Sequence, residues 1–506
     1  MTSTAAASTP ENESLAATLA RVLSSGDGRR AIAFGDRRHS WRAVGALAAT
    51  LRDSLALLGV APHERVGMVA RSRPSHVAAV WGLLAAERCV TMLYGFQAAA
   101  KIAEDIIELR APLLLIDRED WSPPLAEAAR TAGSAVFLLD EMSLVAPEGF
   151  DVIGPAADRA CLPGVALQTL SSGTTGRPKR IDLTAATVAS AARAAARQLE
   201  ETGGSSIAPS PTISVFPLCN ISGIYTVVPH GLIGRPIALL EKFALAPWLE
   251  LVRRYRPRGA DLPPAAIAMI LAAEVAPDDL ASLELVRSGA APLEPALHAA
   301  FEERYGARIV LSYGASEFCG IVTTWTPEDI ARYHPERRFS AGRAINGVAI
   351  RTRDAETGEL LGANQTGLLE VWADRVGPGW IRTNDLAAID DDGFLWFKGR
   401  ADSAIMRGGF KIVPDMVEDA LRRHPSIADA IVVGLPDARL GAVPAALVQP
   451  TPRGPTPSEV EVIAWARDHL AAFQVPVRVR IVAELPRTPS LKLSREGARL
   501  LLEAEN

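Results

Sequence analysis

The sequence predicts an α/β protein of more than one domain, on three observations. Its 506 residues exceed the size that a single hydrophobic core usually supports. From residue 60 to residue 320, short apolar runs typical of strands alternate with segments of helical periodicity, which favours mostly parallel sheets. After residue 340 the sequence changes to short alternating strands separated by turn residues. We therefore expect a large N-terminal domain with two mostly parallel sheets flanked by helices, then a small α+β C-terminal domain.

The individual elements follow in chain order. A hairpin is expected at AIAFGDRRHSW (31–41), where alternating residues surround Gly-Asp. Strands and helices then alternate at these positions: ERVGMVA (64–70), SHVAAVWGLLAAE (75–87), PLLLID (112–117), 125–132 and SAVFLLD (134–140). The pattern resumes at TISVFPL (212–218), a helix after Gly223, RPIALL (235–240), a helix near Trp248, LELVRSG (283–289) and RIVLSYG (308–314).

The last third of the sequence indicates two further structural units. A β-rich subdomain at about 340–400 is indicated by VAIRTRD (348–354), TGLLEVW (366–372) and DGFLWFKGR (392–400). Beyond it, helical and strand-like segments alternate again over roughly 100 residues, enough for a separate core. We place the boundary near Arg400 to Asp402, which gives domains 1–400 and 401–506.

Composition and charge exclude several classes of protein. A net charge of −5 and the lack of a basic stripe argue against nucleic-acid binding. The four cysteines are too widely spaced for a zinc knuckle or a disulfide framework, which suits a reducing compartment. The first dozen residues lack the pattern of a signal peptide. The longest apolar run, 77–86, is half of the roughly 20 residues that a membrane helix needs, so we expect a cytoplasmic protein without a membrane span.

The most informative segment is LSSGTTGRPK (170–179), where strand-like residues lead into six consecutive Ser, Thr and Gly residues and then Lys179. Small residues let successive backbone N–H groups face phosphate oxygens, hydroxyl groups add donors, and the lysine adds charge. The spacing differs from the P-loop pattern, because only two residues separate Gly173 from Gly176. The segment predicts a phosphate-binding loop of another kind.

This loop strongly resembles the phosphate loop of the adenylate-forming superfamily, which contains acyl-CoA ligases, peptide-synthetase adenylation domains and luciferases. Further matches follow in that superfamily's order at PPAAIAMIL (263–271), SGAAPL (288–293), YGASE (313–317), 382–412 and PRTPSLKLSR (486–495). Together they cover most of the chain beyond residue 165. The sequence is most similar to free-standing carboxylic acid–CoA ligases.

The resemblance implies a nucleotide site with assigned roles. Glu317 is implied to hold Mg²⁺ against the triphosphate, Asp385 to accept the ribose hydroxyls, and Arg400 to contact ribose or phosphate. The phosphate loop is Ser171, Ser172, Gly173, Thr174, Thr175, Gly176 and Lys179. The adenine and AMP site comprises Gly289, Ala290, Ala291, Tyr313, Gly314, Ser316, Asp385 and Arg400.

The resemblance also implies a catalytic lysine, Lys492, on a mobile C-terminal loop, where its charge can steady the α-phosphate during adenylation. The C-terminal domain of this superfamily rotates between two half-reactions about a hinge that aligns with Asp402. Rotation withdraws the lysine and brings the segment Arg407, Gly408 and Gly409 towards the thiol channel. Leu491 stands where the superfamily commonly has glycine, a departure that stiffens the loop.

The implied function is activation of a carboxylic acid by ATP and Mg²⁺ to an acyl-adenylate, with release of pyrophosphate, and transfer of the acyl group to CoA. One alternative is a CoA-independent ligase that transfers the acyl group to an amine. Another is a degenerate nucleotide-binding protein, against which the intact Lys179, Glu317, Asp385 and Lys492 argue. The chain is expected to act as a monomer or homodimer.

The segment FPLCNISGIY (216–225) resembles the entrance of the superfamily's acyl pocket, with Asn220 where many CoA ligases have histidine. No aspartate stands where amino-acid-activating domains bind an ammonium group. Asn220, Ile221, Gly223 and Ile224 suggest a largely apolar pocket for an aryl, alicyclic or medium-chain acid, although the start of a core helix would show the same pattern. Two further departures are Asn384 at a usual glycine and a shortened segment before Trp380.

Overall fold

The computed structural model describes residues 13–170, 180–202, 210–401, 403–407, 410–437, 439–452, 454–488 and 491–504. Strands and helices alternate along most of the chain, which confirms the α/β class with several sheets. Within these ranges no helix is both long enough and apolar enough to cross a membrane. All four cysteines fall in described segments and none of them forms a disulfide.

The first structural unit is a seven-stranded sheet with strand order β7-β6-β5-β3-β4-β8-β9, in which the five central strands are parallel and both edge strands antiparallel. The elements up to residue 202 are α1 (Leu15–Leu23), β1 (Arg30–Phe34), β2 (Arg37–Ser40), α2 (Trp41–Leu57), β3 (Arg65–Ala70), α3 (Pro74–Ala85), β4 (Cys89–Tyr94), α4 (Ala99–Leu109), β5 (Leu113–Asp117), α5 (Pro123–Ala132), β6 (Ala135–Asp140), β7 (Ser143–Val145), β8 (Val165–Leu170), β9 (Arg180–Thr184) and α6 (Ala185–Thr202).

Both faces of this sheet are covered, which explains its nearly continuous apolar strands. In β3, Met68 packs into the cluster formed with α1, α2, α3 and α7, whereas its neighbour Val69 packs into the cluster formed with α4 and α5. Successive side chains of a strand point to opposite faces, so each strand supplies both clusters. The helix α7 is Ile221–Ile233.

The second parallel region is divided into a four-stranded sheet of order β10-β11-β1-β2 and a three-stranded parallel sheet of order β12-β13-β14. The predicted hairpin forms, and its strand β1 pairs in parallel with the distant β11. The elements here are β10 (Thr212–Ser214), α7, β11 (Ile237–Leu239), α8 (Leu245–Tyr255), β12 (Gly259–Asp261), α9 (Pro264–Ala272), α10 (Pro277–Leu280), β13 (Leu285–Ser288), α11 (Pro295–Tyr305) and β14 (Arg308–Leu311).

Helix α7 begins at Ile221, three residues before the predicted start after Gly223. Gly223 lies within its first turn, where an added Cβ atom would approach the carbonyl oxygen of Pro217 to 2.2 Å. The glycine therefore permits the close packing of the preceding chain on the helix rather than marking the point where the helix starts.

The β-rich region predicted at 340–400 is present as a four-stranded antiparallel sheet, β18-β19-β20-β21, next to a three-stranded antiparallel sheet, β15-β16-β17. The elements are β15 (Tyr313–Ala315), a 3₁₀ turn (Ser316–Phe318), β16 (Gly320–Thr324), α12 (Pro327–Arg337), β17 (Arg343–Ala344), β18 (Val348–Arg353), β19 (Gly367–Ala373), β20 (Ile381–Ile389) and β21 (Leu395–Arg400).

The C-terminal part contains a five-stranded sheet with its own apolar clusters on the two faces. Its strands β24 and β25 form a long antiparallel pair, and β26 joins β25 in parallel. The elements are β22 (Ile405–Arg407), β23 (Phe410–Ile412), α13 (Pro414–Arg422), β24 (Ile427–Asp437), β25 (Gly441–Pro450), α14 (Glu459–His469), β26 (Arg478–Ile481) and α15 (Arg495–Glu503).

Candidate active site

A large cleft of about 3810 Å³ lies between the N-terminal part and the C-terminal sheet. The carboxyl ends of β13 and β14, the β15–β16 hairpin, the start of α7 and the loop before α15 all reach it. Parallel strands commonly place ligand sites at their carboxyl ends. The predicted site residues that line the cleft are Asn220, Ile221, Gly289, Ala290, Ala291, Tyr313, Gly314, Ser316, Glu317, Asp385, Arg400 and Lys492. The phosphate-loop residues Ser171 to Gly176 and Lys179 lie outside the described residues.

The segment predicted for adenine follows β13 directly and makes a sharp turn. A Cβ atom added to Gly289 would lie 2.7 Å from the Ser312 hydroxyl oxygen, so the ends of β13 and β14 can approach only with glycine here. Ala290 then adopts a left-handed backbone with φ of 68°. The result is a wall of small residues on which a flat ring can lie close to the backbone.

Tyr313, Asp385 and Arg400 form one hydrogen-bonded group. The Tyr313 hydroxyl donates to Asp385, and an Nη atom of Arg400 lies 3.3 Å from the other carboxylate oxygen. Burial, together with the neighbouring carboxylate, raises the pKa of Tyr313 well above its ordinary range, so it remains a donor. Asp385 is only 8% exposed. A carboxylate has about four acceptor positions, so one such group can serve several donors at once.

Strand pairing explains how these residues meet. Asp385 in β20 and Arg400 at the end of β21 are directly opposed. Asn384 precedes Asp385 within β20, and its carbonyl oxygen accepts from the Ala401 backbone N–H at 2.7 Å. Asparagine therefore fits the usual glycine position as an ordinary strand residue.

Lys492 extends from the C-terminal part towards Asp385 and Arg400. Its pKa is lowered, because burial and the positive charge of Arg400 outweigh the opposite influence of Asp385 and Glu317. The loop that carries it is closed by a hydrogen bond of 2.8 Å from the Thr488 N–H to the Lys492 carbonyl oxygen. Arg487 supports that loop, since it donates to the Leu491 carbonyl oxygen.

Leu491, the departure from glycine, has a left-handed backbone with φ of 63°. The conformation that glycine favours is therefore kept, at a cost of roughly 1 kcal/mol for a residue with a Cβ atom. In return, the Leu491 side chain packs against an apolar cluster of the N-terminal part that contains Trp248 and Phe301. The leucine therefore links the loop of Lys492 to the N-terminal part.

Glu317 follows the β15 strand in the 3₁₀ turn and is exposed in the cleft. Among the described residues it makes no hydrogen bond or ion pair, so both of its oxygens are open. Mg²⁺ prefers oxygen ligands and is often held by one or two carboxylates together with substrate phosphates. The chemistry of Glu317 fits the predicted metal.

The four residues predicted for the acyl pocket separate into two pairs. Asn220 and Ile221 line the cleft at the start of α7. Ile224 is only 2% exposed and belongs to the large apolar cluster of the first sheet, and Gly223 is packed against Pro217. Gly223 and Ile224 are thus packed as parts of a core helix and do not line a pocket. This is the second of the two interpretations that the sequence allowed for this segment.

A polar group beside this pocket was not predicted. Arg287 on β13 forms an ion pair of 3.6 Å with Asp261 on β12, and both residues line the cleft near Tyr225 of α7. The Tyr225 hydroxyl is buried without a hydrogen-bond partner among the described residues. Burial raises its pKa, and the charges of Arg287 and Arg375 lower it. The signal in the sequence was a charged residue immediately before SGAAPL.

The shortened segment before Trp380 also has a defined role. It brings Arg375 beneath the β15–β16 hairpin, where the guanidinium donates to the carbonyl oxygens of Phe318 and Ile321 at 2.8 and 2.6 Å. Arg375 therefore holds the backbone that follows Glu317.

Arg407 does not line the cleft. Its guanidinium donates to the Phe473 carbonyl oxygen at 2.8 Å within the C-terminal part. The predicted hinge Asp402 and the residues Gly408 and Gly409 fall outside the described part of the chain.

Comparison with known proteins decides the family. The family model described as AMP-binding enzyme matches residues 20–380, and the model described as AMP-binding enzyme C-terminal domain matches residues 416–492. The chain belongs to the AMP-binding enzyme family. The resemblance drawn from the motifs is confirmed, as is the prediction of an adenylate-forming ligase at the level of the family.

Relatives of this AMP-binding enzyme include two plant 4-coumarate–CoA ligases. Ligase 2 of Petroselinum crispum is 27% identical over 90% of this chain and 87% of its own length. Ligase 2 of Nicotiana tabacum is 30% identical over 71% of each chain.

Solved structures show the same fold. ATP-bound MatB from Rhodopseudomonas palustris has a TM-score of 0.80 at 22% identity and covers 96% of this chain and 99% of its own. The amide bond synthetase McbA from Marinactinospora thermotolerans has a TM-score of 0.77 at 25% identity and covers 96% of this chain and 99% of its own.

The lowered pKa of Lys492 predicts the pH dependence of adenylation. At high pH, kcat/KM for ATP should fall as Lys492 loses its proton, with a midpoint below the ordinary range for lysine. Arg400→Gln removes a positive charge that lowers this pKa, so the midpoint should move to higher pH even where the rate itself is reduced. Pyrophosphate release at limiting ATP measures the pH profile of each enzyme. A midpoint that is unchanged or lower in Arg400→Gln would contradict the assignment of this titration to Lys492.

Proposed function

We propose that this enzyme activates a carboxylic acid with MgATP to an acyl-adenylate and then transfers the acyl group to CoA. The observation that carries the proposal is the meeting of Lys492 from the C-terminal part with Asp385, Arg400 and Glu317 of the N-terminal part, beside the small-residue wall at Gly289. The acid is an aryl, alicyclic or medium-chain one, in agreement with the CoA ligases named among its relatives.

In the first half-reaction, each residue acts through charge and position. Asp385, oriented by Tyr313 and Arg400, accepts the ribose hydroxyls. Glu317 would hold Mg²⁺, which supplies charge neutralisation at the phosphates. Lys492 donates to the carboxylate and the α-phosphate, so the attacking oxygen is aligned and the developing negative charge is stabilised.

The arrangement of the described residues corresponds to this first half-reaction, since Lys492 is in the cleft and Arg407 is not. For the second, we propose that the C-terminal domain, residues 401–506, rotates about Asp402 relative to residues 1–400. The loop of Lys492 then leaves the cleft and the segment from Arg407 to Gly409 approaches the thiol.

The test is pyrophosphate release across aromatic, alicyclic and straight-chain acids with MgATP, with and without CoA. We expect release with a subset of the acids, an increase on addition of CoA, and an acyl-CoA product by mass spectrometry. Release that is indifferent to CoA, with no thioester, would exclude the CoA ligase.

The proposed hinge gives a second prediction. Asp402→Pro fixes φ and removes a backbone N–H, which restricts rotation, so thioester formation should slow on the order of tenfold or more while adenylation changes little. Single-turnover measurements of the two half-reactions separate the effects. Asp402→Ala is the matched control and should retain both rates, and an unimpaired second step in the proline variant would remove Asp402 as the pivot.

An amide-forming ligase is the second candidate. The observation that favours it is the similarity to the amide bond synthetase McbA over almost the whole chain. The same assays, with a panel of amines in place of CoA, distinguish the CoA ligase from the amide-forming ligase. Only an amide-forming enzyme would produce the acyl amide faster than the acyl-adenylate reacts with the amine in free solution.

A further inference from the structure

A second group of metal-ligand side chains lies away from the cleft, where α11, α12 and β14 meet. His298 and Glu302 are one helical turn apart in α11, so they share a face of that helix. His334 reaches the same point from α12. One donor atom from each of these three side chains lies within 4.8 Å of the other two. Two imidazoles and a carboxylate are ligands that suit zinc.

The backbone of Ile309 in β14 holds both helices at this point. Its N–H donates to Glu302 Oε1 at 2.8 Å, and its carbonyl oxygen lies 2.9 Å from His334 Nε2. Side chains from two helices are therefore fixed to one residue of a buried strand. Such an arrangement positions the three ligand atoms before any ion binds.

The separations of the ligand atoms match those of a zinc site. His298 Nε2 lies 3.3 Å from Glu302 Oε1, and His334 Nε2 lies 3.2 Å from the same oxygen. Zinc bonds of about 2.0–2.1 Å at tetrahedral angles place neighbouring ligand atoms roughly 3.3–3.4 Å apart. Two edges of the cluster thus have the length that a shared ion requires.

Hydrogen bonding alone does not account for His298. Its side chain is 0% exposed, and neither ring nitrogen has a hydrogen-bond partner among the described residues. The contact with Glu302 is close but is not aligned as a hydrogen bond. A buried imidazole without partners is costly. An ion bound to Nε2 would use the lone pair that the protein leaves without a partner.

The two oxygens of Glu302 have different surroundings. The Arg338 guanidinium lies 3.5 Å from Oε2, which favours the ionised carboxylate. Oε1 is the oxygen that faces both imidazoles. The carboxylate can therefore bind an ion through Oε1 while Arg338 stays at the other oxygen.

We propose that His298, Glu302 and His334 form a structural zinc site outside the nucleotide cleft. The two Nε2 atoms and Oε1 bind the ion, and a water molecule or the Ile309 carbonyl oxygen completes the coordination. Each bound imidazole is neutral and carries its proton on Nδ1. The ion joins α11 to α12 beside β14, the strand that leads to Tyr313. This role is separate from acyl transfer and goes beyond the proposed function.

The experiment measures zinc directly, without substrates. The full chain, purified from zinc-supplemented cells without a chelator, should retain one zinc ion per chain by elemental analysis. After removal of the ion with a chelator, added Zn²⁺ should raise the melting temperature by several degrees, because an ion that binds only the folded state stabilises it. Co²⁺ in place of zinc should give the visible absorption of a four- or five-coordinate site.

Three substitutions remove one ligand each: His298→Gln, Glu302→Gln and His334→Gln. Each should weaken Zn²⁺ binding about 100-fold or more, because even residues that only support metal ligands affect affinity 10–100-fold. Each should also lose the effect of Zn²⁺ on the melting temperature. Circular dichroism identifies the variants that fold, and three separate variants guard against the loss of any one. His469→Gln, at an exposed histidine of α14, is the matched control and should retain zinc.

Two outcomes would overturn the zinc site. One is an unaltered protein that retains no zinc and whose melting temperature does not respond to added Zn²⁺. The other is zinc bound equally well by folded ligand variants, which would place the ion elsewhere on the chain. Neither result bears on acid activation, which the pyrophosphate assay tests separately.

Discussion

Lys492→Ala should lower the rate of acyl-adenylate formation by a factor of about 1,000, because removal of one preorganised charge at the reacting phosphate commonly costs 10²–10³ in rate. Thioester formation from a supplied acyl-adenylate should keep most of its rate, since under the proposed rotation the lysine leaves the cleft before that step. Pyrophosphate release measures the first reaction and acyl-CoA formation from synthetic acyl-AMP measures the second.

Lys242→Ala is the matched control, because Lys242 is exposed on the N-terminal part and does not line the cleft. Both of its half-reactions should be unchanged. Equal losses of the two steps in Lys492→Ala would contradict the division of labour and would indicate a structural role for the lysine.

Asp385→Ala should raise KM for ATP and lower kcat/KM by about 100-fold. The substitution removes the acceptor of the Tyr313 hydroxyl and the partner of Arg400, and the loss of one member of a buried charged pair costs about 2–5 kcal/mol. It also removes a carboxylate that raises the pKa of Lys492, so the pKa of the lysine should fall further. Equilibrium binding of ATP and the rate of pyrophosphate release measure both effects.

Asp391→Ala is the control in the same sheet. Asp391 lies in the turn between β20 and β21, and its carboxylate accepts a hydrogen bond from the Asn364 side chain. The Asp391→Ala enzyme should bind ATP normally. Unchanged ATP affinity in Asp385→Ala, with a normal melting temperature, would exclude Asp385 as a nucleotide ligand.

Sequence reasoning located the fold class, and it named residues that the structure brings to one cleft, because both depend on local patterns. The parallel sheet follows from apolar runs such as that at Leu113, and the turn at Gly289 follows from a run of small residues. Tyr313 and Asp385 both line the cleft, but their mutual hydrogen bond was not predictable, because it joins segments 72 residues apart.

The unpredicted features all depend on contacts between distant segments. Arg287 and Asp261 meet only because β12 and β13 are neighbours in the sheet. Arg375 contacts the β15–β16 hairpin from a segment more than 50 residues further along the chain. Ile224 was predicted to line the acyl pocket and lies in the core instead. An apolar residue on a helix suits either environment, and only the packing of the folded chain determines which one it occupies.

The contact of Leu491 with the N-terminal cluster has a consequence for the fate of the intermediate. Under the proposed rotation, opening of the domains would expose the Leu491 side chain to water, a free-energy penalty that glycine would not incur. Under the proposed function, the acyl phosphate anhydride is therefore retained longer behind a closed loop, sheltered from hydrolysis until the acceptor arrives. The enzyme would then turn over more slowly, but it would lose less acyl-adenylate, and therefore less ATP, to hydrolysis.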